Sequence, residues 1–82
     1  MESRTWTVRI SLHDTGGEVH ATARFEEGHQ LDHVVGLGTS SSLGGTSDEE
    51  AREFAATRAL HDLTDRLDTI LGSESRTVLA RY

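Results

Sequence analysis

Four groups of side chains in this 82-residue chain have types and spacings that could do chemistry. His29, Asp32 and His33 offer three metal-ligand donors within five positions. A zinc site needs such donors to converge on one point, and on a strand His33 faces inward while His29 stays in the preceding turn. A turn histidine and a core histidine are therefore the plainer reading. His61 and Asp65 lie one helical turn apart, the spacing of an acid/base couple on a helix, but that spacing equally makes an exposed surface pair. Gly36-Leu37-Gly38 lacks the later glycine and the immediately following helix of a nucleotide-binding loop. Arg9, His20 and Arg24 can share one sheet face with Thr7 and Thr22, a set able to hold phosphate or a partner's carboxylate. Glu26 and Asp32 border that patch, and a solvated sheet face accounts for it as well. With no GxSxG or P-loop run and no cysteine, neither an enzyme nor a bound cofactor or metal is expected.

The elements that must position these groups follow from periodicity. Apolar residues alternate in Thr5 to Leu12, Val19 to Phe25 and Leu31 to Gly38, which predicts three strands. The first turn is placed at His13 to Glu18, where Gly16 and Gly17 supply positive φ cheaply. Antiparallel pairing then sets Leu12 against Val19, Ile10 against Ala21, Val8 against Ala23 and Trp6 against Phe25. A second turn at Glu27 to Gln30 brings Leu31, His33, Val35 and Leu37 onto the same inner face. On the outer face that register puts Asp32 across from Arg24, with Val34, Gly36 and Gly38 beside it. Bare glycine in a strand signals a twisted edge or close approach by something else.

Thr39 to Thr46 is rich in Ser and Gly and reads as a mobile connection. Ser47-Asp48-Glu49-Glu50 forms a capping box, and its carboxylates suit the positive end of a helix dipole. The helix spans 48–71 with Gly72 as its cap, and its apolar stripe is Ala56, Ala59, Leu60, Leu63, Leu67 and Ile70, widened by Ala55 and Leu71. Phe54 lies off this stripe. Arg58, Asp62 and Arg66 form an i, i+4 ladder on the flank. The fold class is therefore α+β, a three-stranded antiparallel sheet followed by one long helix (β-β-β-α). It makes a single domain with sheet 5–38, loop 39–47, helix 48–71 and a tail 72–82, where Val78, Leu79 and Tyr82 could add a short strand or clasp.

Composition narrows the function classes. Fourteen acidic side chains against eight basic ones give a net charge of −6, and all eight basic residues are Arg. Sequence-independent nucleic-acid affinity comes mainly from cations that displace phosphate counterions, so this balance disfavours bulk RNA or DNA binding. No stretch approaches a membrane span and the N-terminus has no basic start before an apolar run, which implies a cytoplasmic protein. The hydrophobic share is 34%, and a chain this small buries a thin core. A helix of about 24 residues spans ~36 Å, whereas eight-residue strands reach only ~27 Å. The Leu67, Ile70 and Leu71 end thus overhangs its sheet, which a homodimer would relieve. Val34 and Phe54 join these three as candidate dimer contacts.

Trp6-Thr7-Val8 with Ile10, Ala21-Thr22-Ala23-Arg24-Phe25, Val35-Gly36-Leu37-Gly38, Glu53-Phe54, and Arg58-Ala59-Leu60-His61-Asp62-Leu63 occur here in collinear order over about three quarters of the chain. In these pieces the chain resembles a small actinobacterial, dormancy-associated domain family of unknown function. That family has a double-stranded-RNA-binding-domain-like fold and is likened to ribosome hibernation-promoting factors. The resemblance implies a non-enzymatic dimeric protein of stress or dormancy, with the ribosome as a possible target. The alternative is an antitoxin-like or regulatory module that binds a protein partner and no nucleic acid. Members tend to carry Asn-Pro after the third strand and a Pro-x-Ile-Gly run before the helix, whereas this chain has no Pro. Phe54 stands where the family has Leu. Asp48, Glu49 and Glu50 occupy the place where an RNA-binding domain of this shape normally carries a lysine cluster.

Overall fold

Two adjacent glycines fix the first hairpin. In the computed structural model, which describes residues 3–42 and 45–74, Gly16 and Gly17 have φ of 54° and 86°. Positive φ at both positions makes a two-residue turn whose twist matches the flanking strands. Strand β1 therefore runs Val8–Thr15 and β2 runs Glu18–Phe25, both closer to the turn than alternation alone suggests. Val8 pairs with Phe25, Ile10 with Ala23, Leu12 with Ala21 and Asp14 with Val19. The shift from the sequence register is two residues, so every side chain keeps its face.

The third strand departs further. β3 is Gly36–Ser41, and it pairs antiparallel with β2 through Ala23–Gly36, Ala21–Gly38 and Val19–Ser40. This register differs from the expected one by three residues, and an odd shift exchanges the two faces. Gly36 and Gly38 lie inward against the helix and are buried, while Leu37 points outward and is 56% exposed. Leu31 to Val35 form turns instead of a strand, held by Gly28 N–H donating to Asp32 Oδ2 (2.8 Å) and Leu31 N–H donating to His29 Nδ1 (3.0 Å). Asp32 thus caps a turn and does not oppose Arg24. Val34 enters the core at 6% exposure, and His33 is exposed where alternation had placed it inward. Thr39, Ser40 and Ser41 belong to β3, and Ser42 is tied to the hairpin by its N–H on the Gly17 carbonyl (2.8 Å).

Ser47 opens the helix as its residues require. Its Oγ accepts from the Glu50 N–H (3.1 Å), and Glu50 Oε1 accepts from the Ser47 N–H (3.4 Å). Helix α1 spans Asp48–Glu74 and runs through Gly72 without stopping there. Its buried stripe is Ala51, Ala55, Ala59 and Leu63, with Leu67 and Ile70 half-buried against the same core. Leu60, expected on that stripe, is 38% exposed, and Ala51 takes a place that periodicity had not assigned. The physical reason is the glycine pair. A Cβ on Gly36 would lie 2.5 Å from the Leu63 nitrogen, and one on Gly38 would lie 2.8 Å from Arg58 Cβ. The helix therefore rests backbone to backbone on β3 through its alanines. The tail, with its possible clasp, lies outside the described residues.

Candidate interaction surface

Helix α1 sits over β2 and β3 and barely reaches β1. That offset leaves the inner face of β1 uncovered. Val8, Ile10 and Leu12 point to the same side as Phe25, Ala23 and Ala21, their partners in the sheet. Yet they are 36%, 37% and 45% exposed, whereas Ala21 and Ala23 are buried. Trp6 continues the row, 64% exposed, with its ring edge-on to Phe25 (5.9 Å) and His29 (4.8 Å). His29 in turn stacks on Phe25 at 4.2 Å, which accounts for this histidine without a metal.

The far wall of this surface is the helix flank turned toward β1. Arg52 marks that flank, since its Nη2 donates to Asp14 Oδ2 at 2.7 Å, and the contact pushes the guanidinium pKa further up. At 3.6 residues per turn, Ala56, Leu60 and Leu71 lie toward the same side. Of the eight large apolar side chains left exposed among the described residues, Trp6, Val8, Ile10 and Leu12 lie on this surface and Leu60 and Leu71 lie toward it by helical spacing.

The two sheet edges differ. The Ser42 N–H bond to Gly17 shows that even-numbered β3 residues bond to β2, so Leu37 and Thr39 turn their backbone groups outward. The helix covers those groups. Leu37 N–H donates to Asp62 Oδ2 (2.8 Å), and Arg58 Nη1 donates to the Thr39 carbonyl (2.7 Å). Asp62 also accepts from Arg66 Nε at 2.8 Å. The Arg66 bond, then the Leu37 N–H, hold its carboxyl below the usual range. The expected surface ladder is thus partly a cap on a strand edge. On β1, the Glu26 N–H bond to the Thr7 carbonyl (2.9 Å) puts the odd residues toward β2. Val8, Ile10, Leu12 and Asp14 then present their backbone groups on an edge that no described strand pairs.

The proposed contact residues separate accordingly. Arg9 and Arg24 are directly opposite on the outer face, and His13 is directly opposite His20. His13 joins this face because it belongs to β1 and not to the turn. No carboxylate lies within 4.0 Å of either Arg among the described residues, while His20 sits 3.3 Å from Glu18. Among the dimer candidates, Val34 is buried within the chain, and Leu67 and Ile70 are half-buried in its own core. Phe54 is 50% exposed on the β3 side, under Arg58 at 5.9 Å. Leu71 alone of that group lies toward the β1 surface. No three His, Asp or Glu side chains gather to hold a metal ion among the described residues, and no described helix is long and apolar enough to cross a membrane.

Fold and surface together define a small α+β domain in which one long helix half-covers a three-stranded sheet. The solved structure of Rv2632c, from the actinobacterium Mycobacterium, has this fold, with a TM-score of 0.73 over 95% of this chain and 93% of that one at 20% identity. No family model and no curated protein sequence matches this chain.

Proposed function

We propose that this chain is a non-enzymatic interaction protein that works as a homodimer in stress or dormancy. One observation carries the interaction reading: one sheet edge is capped by the helix's own side chains, while the other is open and flanked by a continuous apolar surface. Contiguous apolar patches larger than a few hundred Å² are rare on monomeric proteins and mark association sites. The stress or dormancy setting rests on the resemblance in the sequence. The antitoxin-like alternative would use this same surface for a different protein partner.

A ribosome-directed role has its own observation in favour. Two Arg directly opposite one another repel, and an anion held between them relieves that repulsion. The net charge of −6 acts against it. Affinity capture from stationary-phase cells, with and without nuclease, tests these readings. Ribosomal RNA and proteins recovered only without nuclease, and lost with Arg9→Ala/Arg24→Ala, support the ribosomal role. A stoichiometric protein retained after nuclease supports the protein-partner reading, and a sedimenting monomer with no partner refutes both.

A further inference from the structure

We propose that the occupant of the β1 surface is β1 of a second copy, paired antiparallel about a two-fold axis through Ile10. This rests on the dimeric reading above and adds its geometry. The outward backbone groups of β1 belong to Val8, Ile10, Leu12 and Asp14. A two-fold antiparallel pair must therefore match even residues with even residues.

Few registers satisfy that rule, and charge decides among them. Centring on Arg9 sets two guanidinium groups against each other. Centring on Ser11 puts Asp14 opposite Val8, and centring on Leu12 puts it opposite Ile10, each time a carboxylate against an apolar side chain. Centring on Ile10 pairs Ile10 with its own copy, Val8 with Leu12, and Arg9 with Ser11. Val8, Ile10 and Leu12 then meet only one another, and Trp6, whose indole N–H can serve a polar partner, comes opposite Asp14 at the end where that carboxylate pairs with Arg52. An indole over that guanidinium is a favourable cation–π partner. The result is a continuous six-stranded sheet with both helices on one face and the two uncovered strands at its centre.

The area is consistent with a second copy. The six exposed side chains present roughly 500 Å² of apolar surface, and the backbone edge adds to it, against about 800 Å² per partner in a standard interface. No charged side chain lies on the inner row between Trp6 and Leu12, so nothing repels its own image.

The test is sedimentation equilibrium of the full chain from 1 to 100 μM, with Ile10→Lys as the variant and circular dichroism as the check on folding. Ile10 is more than one-third exposed, so the substitution is tolerated in a monomer. In the dimer it places two ammonium groups on the axis, and the dissociation constant is expected to rise on the order of 100-fold or more. The chain has no cysteine, so His13→Cys takes a single spin label. In this register the two labelled positions are six residues apart along the paired strands, about 20 Å between backbones. The registers centred on Arg9 and Ser11 give about 27 Å and 14 Å by the same spacing. A wild-type dimer weakened by Ile10→Lys with the 20 Å separation supports the proposal. A dimer indifferent to Ile10→Lys, or with another separation, overturns the geometry and leaves the dimeric reading standing. A monomer at 100 μM overturns both. If Ile10→Lys fails to fold, the label distance alone decides.

Discussion

Replacing Gly38 by Ala tests how the helix is seated. A Cβ at this position overlaps the Ala55 carbonyl oxygen and the Ala59 backbone nitrogen and lies 2.8 Å from Arg58 Cβ. Ordinary carbon contacts begin near ~3.5 Å, so the helix would have to retreat by about 1 Å along its closest contact. A gap of that size forfeits about a quarter to a half of the dispersion energy of each facing atom pair. Overpacking of this kind typically costs ~1–3 kcal/mol, and because the obstructing atoms are backbone we expect about 3 kcal/mol. That is a large share of the ~4–12 kcal/mol that a chain of this length can have. The sign is the discriminating feature. Where nothing obstructs the methyl, Gly to Ala stabilises by roughly 0.4–1 kcal/mol through the unfolded chain. Urea unfolding followed by circular dichroism should show a midpoint lowered by ~2–3 M, for a slope near ~1 kcal/mol per M. An unchanged or raised midpoint would refute the inward orientation of Gly38 and, with it, the β3 register.

Two further outcomes follow from the described contacts. Ser47→Ala removes the oxygen that accepts from the Glu50 N–H, and the expected cost of about 1 kcal/mol should lower the melting temperature by ~4–8 °C. Asp62 tests the capped edge through pH. Its folded pKa lies below its ordinary value, so its contribution is present above the unfolded pKa of ~3.9 and is lost as pH falls through the folded value. The stability gap between wild type and Asp62→Asn should therefore be full at pH 7 and close below about pH 4, as read by urea titration. A gap that stays constant across that range would mean that the carboxylate charge plays no part in the contact.

The parts of the fold that were legible in the sequence are those where hydropathy and local chemistry point the same way. The capping box needs only Ser47 and Glu50 at the right spacing, and the hairpin faces survive a two-residue error because strand side chains repeat every two positions. β3 was illegible in the face it turns inward because glycine is silent in an apolar alternation. Leu31, His33, Val35 and Leu37 carry the visible pattern, while Gly36 and Gly38 carry the packing. The missing signal was complementary smallness, since Ala51, Ala55 and Ala59 recur every four residues on the helix and match the glycine pair across from them. Reading those positions together would have put β3 face to face with the helix. It would also have shown that a helix so close to β3 cannot cover β1. The uncovered strand, and with it the surface on which the function is argued, is thus a consequence of two absent side chains.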